Sequence, residues 1–368
     1  MGDTTDYLLK LARQASAAPN RRELDALLAT GEQISIALLA MALNEMGKRA
    51  VSLTGGQLGI ITESVHNTAR IVDIKTERIH RHLDEGCIVV AAGFQGTTPE
   101  GDTTTLGRGG SDTTAVALAG ALGATACDIF TDVSGVYTAD PNLVPTARLL
   151  KEISYEEMLE MARVGAQVLH PRAVELARRH RLPLRVRNTF DPEDEGTILI
   201  GAEDMEISRP VSGVTVDRNQ ARLAVLKVPD RPGIAGEIFG ALADSNISVD
   251  MIIQAFHQDG SVNDITFTIK RGDLEMARDL VGEIASRIGA EGIIADPDVA
   301  KVSIVGAGLM DQPGVAAQMF SALGREGINI KMISTSEIRI SCAVSDKDAE
   351  RAVRVVHDLF NLGGTGPV

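Results

Sequence analysis

The C-terminal part of the sequence contains one pattern twice, and this repeat restricts the possible folds more than any other feature. The segment 229–239, PDRPGIAGEIF, is matched 81 residues later by 310–320, MDQPGVAAQMF. The dipeptide Met-Ile at 251–252 likewise recurs at 332–333. A repeat of this length predicts two copies of one structural module.

Each copy is predicted to form a split βαβ unit of the ferredoxin-like kind, in the order strand, helix, strand, strand, helix. The predicted strands are 222–228, 247–256, 264–270, 299–305, 328–334 and 338–344, and the predicted helices are 234–244, 274–287, 315–326 and 347–360. The Asp-x-Pro-Gly turn before each first helix leaves N–H groups that suit a small carboxylate. One alternative is that the Pro-Gly pair only starts the helix; the duplication favours ligand sensing.

The N-terminal half alternates helix-like and strand-like segments, which predicts an α/β fold with a mainly parallel sheet covered by helices. Helices are predicted at 5–18, 23–46, 71–85, 111–122, 154–161 and 171–179, and strands at 50–54, 87–93, 126–131 and 184–187. The helix-poor stretch 201–219 is interpreted as the domain boundary. Loops 93–96 and 131–135 follow predicted strands, where ligands bind in such sheets.

A glycine-rich segment, 105–114 with the sequence TLGRGGSDTT, precedes a predicted alanine-rich helix. Ser111 or Asp112 is expected to cap that helix, and its N-terminal N–H groups would attract an anion. Arg108 adds a planar fork that suits a carboxylate. A glycine-rich turn that merely caps a helix is the alternative, but the Arg together with the Ser-Asp pair favours a ligand site.

Composition excludes several classes of protein. The 368 residues, 44% hydrophobic and 23% charged, predict a globular chain of two or three domains. A net charge of −14 argues against nucleic acid or an anionic membrane as a partner. Cys87, Cys127 and Cys342 are far apart in apolar runs, which predicts core residues rather than a disulfide framework or zinc cluster. With no cationic leader and no long uninterrupted apolar run, a cytoplasmic protein is expected.

The segments 106–112, LGRGGSD, and 131–141, TDVSGVYTADP, together with the tandem Pro-Gly modules, resemble the aspartokinases over essentially the whole chain. The resemblance implies an amino-acid-kinase domain at 1–205 and ACT domains at 221–296 and 299–368. It also implies transfer of the γ-phosphoryl group of ATP, as its Mg²⁺ complex, to the side-chain carboxylate of L-aspartate, the first step toward lysine, threonine and methionine. No protein-bound metal is expected.

The resemblance also assigns roles to residues of an aspartate site. Arg108 would hold the α-carboxylate and Glu32 the ammonium group, while Asp112 would orient the cationic groups during catalysis. The remaining implied aspartate contacts are Asp3, Thr4, Thr5, Asp6, Gly109, Gly110 and Ser111. From the residues alone, Glu32 also fits a first-turn carboxylate that complements a helix dipole, and 3–6 fits a capped helix start.

The implied ATP-binding residues are Thr131, Asp132, Tyr137, Asp140, Pro141, Asn142 and Gln167. Gln167 stands where several members of the family carry a phosphate-facing lysine, and glutamine brings no charge. The alternative interpretation is that 131–142 is a turn without a binding role. His170 precedes a proline and is interpreted as a structural residue at a helix start.

In the repeated modules, the resemblance implies an amino-acid effector, lysine or threonine or both. Asp230 would face its ammonium group. The other implied effector contacts are Gly233, Ile234, Ala235, Gln254, Val315, Ala316, Asn329, Ile330 and Ser336. Ala316 stands where members that are inhibited jointly by lysine and threonine often carry threonine. Edge-to-edge pairing of ACT modules would produce a homo-oligomer, or an assembly with a second subunit.

Aspartokinases normally begin with a strand and a Lys-x-Gly-Gly loop that holds the ATP phosphates, whereas this sequence starts at a later Met-Gly-Asp-Thr-Thr-Asp loop. An incomplete gene product, a misassigned start and a shortened subunit each fit this start. Without the loop lysine, little turnover is expected from the polypeptide alone. The second hypothesis is therefore a non-catalytic regulatory subunit that binds effectors and needs a full-length partner.

Overall fold

The computed structural model describes residues 3–166, 168–191, 193–205, 209–256, 262–309 and 312–364. The chain forms two compact units. The first comprises Met1–Gly135, Lys151–Leu159 and Gln167–Met205, and the second comprises Val136–Leu150, Glu160–Ala166 and Glu206–Val368. Two short segments of the N-terminal half therefore belong to the same unit as the repeated modules.

Helices alternate with short strands up to residue 200. In chain order these elements are α1 (Thr4–Ala15), α2 (Arg21–Glu45), β1 (Ala50–Leu53), β2 (Ile60–Thr62), β3 (Ile71–Ile74), α3 (Glu77–Asp84), β4 (Ile88–Ala91), β5 (Gln95–Thr97), β6 (Thr103–Thr105), α4 (Gly110–Ala121), β7 (Cys127–Thr131), β8 (Glu152–Ser154), α5 (Tyr155–Arg163), α6 (Pro171–His180), β9 (Leu184–Asn188) and β10 (Thr197–Ile200).

Strands of the first unit form three sheets. β1 and β4 pair in parallel, and a four-stranded sheet has the order β7-β9-β10-β8, with β7 parallel to β9 and β8 parallel to β10. The third sheet, β3-β2-β5-β6, is mixed. Ile36 and Ala40 of α2 pack on Val90 and Ala92 beside β4. The α/β prediction is confirmed, because helices alternate with these strands along the chain and pack against them.

One predicted element of this half is wrong. The predicted helix 71–85 is strand β3 followed by α3. Ile71 and Ile74 have the spacing of a helix face, but the β-branched residues of this run favour a strand, which pairs with β2. By length and composition alone, helix α2 could cross a membrane, although Glu32 and Gln33 interrupt its apolar residues. A core helix of a soluble protein passes the same test; Leu38 and Met41 of α2 are exposed.

The repeated part forms one antiparallel sheet with helices. Its elements are β11 (Gly213–Pro229), α7 (Ile234–Asp244), β12 (Val249–Phe256), β13 (Val262–Lys270), α8 (Leu274–Ile288), β14 (Gly292–Val305), α9 (Val315–Arg325), β15 (Met332–Ser336), β16 (Arg339–Val344) and α10 (Ala349–Leu359). The strand order is β12-β13-β11-β14-β16-β15. The hydrophobic cores of this unit include one around Phe267 and Ile238 and another around Met319 and Val353. A smaller cluster is formed by Met251, Val299, Met332 and Ala343.

The two modules share their central strands. From Gln220 onward, β11 pairs with β13, whereas the segment from Gly213 to Asp217 pairs with residues 301–305 of β14. The first part of β11 thus completes the second module, so the boundary predicted at 201–219 is wrong from Gly213 onward. The ferredoxin-like prediction is confirmed, and a fragment that begins at Ala221 would lack one strand of the second module.

Candidate functional site

The glycine-rich segment connects β6, a strand that was not predicted, to α4, the predicted helix. Gly109 is the N-cap residue of α4 at a φ of 66°, and the Thr113 N–H and hydroxyl both donate to its carbonyl oxygen, at 3.0 and 2.8 Å. A Cβ on Gly109 would lie 2.2 Å from the Cβ of His170. The prediction that Ser111 or Asp112 caps the helix is wrong, because both residues lie inside its first turn and no side chain caps it.

Asp25 of α2 holds the end of β6, the strand that precedes this segment, in place. Its carboxylate is fully buried and accepts hydrogen bonds from the Thr105 hydroxyl at 2.6 Å and from the Asn67 side-chain amide at 2.6 Å, with His66 Nδ1 at 2.8 Å. Thr105 is the last residue of β6, three positions before Arg108. Sequence reasoning missed Asp25, although its spacing to buried Leu28 places a carboxylate on the apolar face of α2.

The loop after β4 lies against the start of α4. The Phe94 N–H donates to the Thr114 hydroxyl at 3.1 Å, and the Leu106 N–H donates to the Phe94 carbonyl oxygen at 2.9 Å. Phe94 has a φ of 66°, a left-handed conformation that a bulky residue rarely adopts and that the surrounding contacts must hold in place. A Cβ on Gly93 would lie 3.3 Å from the Ser111 Cα atom, so this loop and the first turn of α4 are in close contact.

Gln95, the first residue of β5, holds α2 beside the same loop. Its buried side chain donates to the Ala29 carbonyl oxygen at 3.0 Å and accepts from Gln33 at 3.4 Å. Between these two contacts lies Glu32, in the middle of α2, so the first-turn interpretation of Glu32 is wrong. Next to Glu32, Gly31 approaches Thr4, because a Cβ at Gly31 would lie 3.2 Å from Thr4 Cγ2.

Glu32 has a buried carboxylate oxygen, Oε2, without a hydrogen-bond donor among the described residues. Burial raises the pKa of this carboxyl group. A buried oxygen of this kind costs free energy unless a donor reaches it, and a cation would satisfy it best.

Arg108 is exposed at the mouth of α4. Throughout the described part of the chain, no carboxylate lies within ion-pair distance of its guanidinium group. Ser111 is also exposed, whereas Gly110 is buried between Phe94 and Leu106. An exposed, unpaired guanidinium beside a helix N-terminus is suited to bind a carboxylate.

Asp112, in the first turn of α4, contacts His170. The Asp112 carboxylate is half-buried, and burial raises its pKa, while a hydrogen bond from the His170 backbone N–H opposes the shift. Burial lowers the pKa of His170, whose Nδ1 atom accepts from the Arg172 N–H at 3.3 Å. His170 is the N-cap residue of α6, which confirms its predicted position at a helix start.

The residues expected to bind ATP are divided between the two units. Thr131 ends β7 in the first unit, and its hydroxyl donates to Asp132 at 3.1 Å. The other group, Tyr137 and 140–142, belongs to the second unit, where the Asn142 N–H and side-chain amide both donate to Asp140 Oδ1. Gln167 lies outside the described residues.

Segment 136–150, which carries Tyr137 and Asp140, is anchored on the second module. The Thr138 hydroxyl lies 3.0 Å from Nε2 of buried His357, and Arg354 Nε donates to the Leu143 carbonyl oxygen at 2.8 Å. Ala139 and Val144 also pack in the core that contains Val353. A movement of α10 would therefore move this segment directly.

The expected effector residues differ in exposure. The side chains of Ile234 and Val315 are buried in the cores of the first and second module, so any contact with an effector would come from their backbone. Ala316 and Ile330 are partly buried against the second core. The exposed residues of the set are Asp230, Gly233, Ala235, Gln254, Asn329 and Ser336. Asp311, the repeat partner of Asp230, lies outside the described residues.

Comparison with known proteins identifies the class. Residues 1–188 match the amino acid kinase family, and residues 222–289 and 302–360 match ACT domains. An α/β kinase domain joined to tandem ACT domains is thus the class that fold and sequence define.

Within that class, the relatives are specific. An aspartate kinase from Pseudomonas putida is 49% identical over 98% of this chain and 88% of its own length. The crystal structure of E. coli aspartokinase III with aspartate and ADP (R-state) matches with a TM-score of 0.81 and 31% identity, over 97% of this chain and 80% of its own. The form with lysine and aspartate (T-state) matches at 0.74 and 31%, over 96% and 79%. The chain belongs to the aspartokinase family.

Proposed function

We propose that this aspartate kinase binds L-aspartate with its α-carboxylate on Arg108 and its ammonium group toward Glu32. The observation that carries the proposal is the pair of unsatisfied groups, an exposed guanidinium at the start of α4 and a buried carboxylate oxygen on α2. An amino acid supplies the opposite charge to each. Ser111, Gly109 and Gly110 would support the carboxylate, and 3–6 would lie beside the ammonium, since Thr4 approaches Gly31 next to Glu32.

The side-chain carboxylate of the bound aspartate would then receive the γ-phosphoryl group of ATP. Mg²⁺ would arrive with ATP and neutralise part of its charge. Thr131 and Asp132 would bind the adenosine portion, Tyr137 would pack near the base, and 140–142 would border the phosphates, with Gln167 near them. Asp112, held by the His170 N–H, would orient the cationic groups that stabilise the transferred phosphoryl group.

The test is aspartate-dependent ADP formation by the purified chain, together with calorimetric titrations of aspartate and of MgATP. Turnover that requires both substrates supports a kinase that acts alone. Aspartate binding without turnover supports the second hypothesis, a subunit that needs a catalytic partner. If aspartate produces neither heat nor turnover, the aspartate site proposed at Arg108 and Glu32 is wrong.

The raised pKa of Glu32 predicts a pH dependence. In the free protein, burial keeps Glu32 protonated up to a higher pH than an exposed glutamate, and the ammonium group of aspartate would favour the charged form and lower the pKa again. Aspartate affinity should therefore fall as the pH falls through the raised pKa, and binding near that pH should release a proton. Titrations in two buffers of different ionisation enthalpy measure this release.

Glu32→Gln should abolish the proton release and weaken aspartate binding. Glu45→Gln, at the exposed end of the same helix, is the matched control and should change neither quantity. Proton release that persists in Glu32→Gln would assign the titrating group to another residue.

For regulation, the favoured effector is lysine or threonine, bound at the ACT modules with its ammonium group on Asp230 and its carboxylate at the N-terminus of α7. Asp230 is exposed, and Gly233 is the N-cap of α7 with no side-chain cap, so both charged ends of an amino acid have a partner. Edge strands β12 and β15 would pair such modules in a homo-oligomer. Arg354 of α10 contacts segment 136–150, so a shift of α10 on effector binding would reach residues 140–142.

Thermal melting of the whole chain with lysine, threonine or methionine tests this proposal, since a fragment from Ala221 would lack a strand. Saturating effector should stabilise the chain, by about 2.7 kcal/mol at 100 times its Kd. Asp230→Ala should abolish the shift, whereas Asp244→Ala, at the other end of α7, should retain it. No shift with any of the three amino acids would leave the modules as assembly elements.

A further inference from the structure

Three side chains that commonly ligate metals meet at the C-terminal end of α3, away from the aspartate site. They are His82, Glu85 and Cys87, and one potential ligand atom of each lies within 4.8 Å of the other two. His82 and Cys87 are half-buried, whereas Glu85 is exposed. The sequence led us to expect Cys87 in the core, so its partial exposure beside a histidine and a carboxylate is a finding of the structure.

The backbone holds these three residues in place without a metal. Helix α3 ends in a turn in which the Gly86 N–H donates to the Leu83 carbonyl oxygen at 2.8 Å and the Cys87 N–H donates to the His82 carbonyl oxygen at 2.9 Å. Gly86 has a φ of 72°, which reverses the chain and returns Cys87 to the side of His82. Because the ligands are already positioned, little ordering would oppose binding.

The neighbouring charges are compatible with a cation. Arg49 donates to the backbone carbonyl oxygen of Glu85 at 2.7 Å. Among the described residues, no cation lies within ion-pair distance of the Glu85 carboxylate, so this carboxylate is available to a metal. The negative end of the α3 dipole also favours positive charge at this position.

We propose that His82, Glu85 and Cys87 form a zinc site with a water molecule as the fourth ligand. An imidazole nitrogen, a carboxylate oxygen and a thiolate are the three donor types that Zn²⁺ takes in proteins, in tetrahedral geometry. A soft thiolate disfavours Mg²⁺ and Ca²⁺, which prefer oxygen ligands only.

The position of the site predicts an effect of the metal on stability rather than on aspartate binding. Cys87 immediately precedes β4, whereas Gly93 and Phe94, which contact α4, follow the opposite end of that strand. A metal here would join the end of α3 to the start of β4 and leave the aspartate site unchanged. The expected consequence of zinc binding is higher thermal stability of the first unit, with the aspartate affinity unaffected.

Titration of the metal-free, tag-free whole chain with Co²⁺ under reducing conditions tests the site. We expect one equivalent of Co²⁺ to produce thiolate-to-metal charge-transfer absorption, and Zn²⁺ to remove it by displacement. Burial raises the pKa of Cys127 to about 11 and that of Cys342 to about 12, so neither supplies a thiolate readily. The absorption should therefore report Cys87.

Paired variants locate the ligands. Cys87→Ser should remove the absorption, and His82→Gln and Glu85→Gln should weaken Co²⁺ binding at least tenfold. The matched controls are His80→Gln and Asp84→Asn, exposed neighbours on the same helix outside the cluster, and both should bind as the unaltered chain does. Equal melting temperatures of all variants without metal would show that folding is retained.

The proposal is overturned if Co²⁺ gives no thiolate absorption, if Cys87→Ser keeps it, or if the control variants lose binding as strongly as His82→Gln. It is also overturned if Zn²⁺ raises the melting temperature of the unaltered chain and of Cys87→Ser equally. Aspartate titration with and without Zn²⁺ then separates this site from the kinase site, because the two affinities should be independent.

Discussion

Replacing Arg108 with alanine is expected to raise the KM for aspartate by roughly 30- to 700-fold while the KM for ATP changes little. Loss of a charge-assisted, two-pronged hydrogen bond to a carboxylate costs about 2–4 kcal/mol, and each 1.4 kcal/mol is a factor of ten. The described residues offer Arg108 no carboxylate of their own, so the substitution breaks no internal ion pair and stability should change little.

Steady-state kinetics with each substrate varied in turn, or aspartate titration if turnover is low, measures the effect. Arg108→Lys is the informative companion, because it keeps the charge but loses the planar fork, and it should recover only part of the affinity. Arg179→Ala, an exposed cation on α6, is the control for a general change of charge. Equal effects of Arg108→Ala on both substrates would remove Arg108 from the aspartate site.

Sequence reasoning found the parts of the site that depend on local chemistry. The glycine-rich segment, its helix and the position of Arg108 follow from helix propensity and from the spacing of charged and small residues. The repeat at 229–239 and 310–320 likewise predicted both modules, because each module is a local unit with its own hydrophobic pattern.

Long-range partners were not predictable in the same way. Asp25 stabilises the end of β6 through Thr105, 80 positions away in sequence, and no local pattern identifies that pair. The strand formed by 213–217 was missed because it pairs with β14 rather than with its sequence neighbours. The sequence of segment 136–150 predicts a loop of the kinase domain, yet Arg354 and His357 anchor this segment on the second module.

Ile234 and Val315 show a limit of assigning site residues by resemblance. Resemblance assigned them to an effector site, and helix periodicity directs their side chains into the cores, so any contact with an effector would come from their backbone. A residue next to a ligand-binding backbone need not contribute its side chain. Such assignments therefore need the structure.

Gly109→Ala is expected to destabilise the first unit and to abolish aspartate binding. Alanine at a φ of 66° costs about 1–2 kcal/mol, and its Cβ would lie 2.2 Å from His170, which adds about 1–3 kcal/mol for forced repacking. Displacement of His170 would also disturb the hydrogen bond from its N–H to Asp112. Gly123→Ala is the matched control, since Gly123 has a φ of 63° with no atom within 4 Å of a Cβ. Urea denaturation of both variants separates backbone strain from the contact: Gly123→Ala should lose only the first contribution and keep full aspartate affinity. If the two variants lose equal stability, close packing of Gly109 against His170 does not hold the Arg108 segment in place.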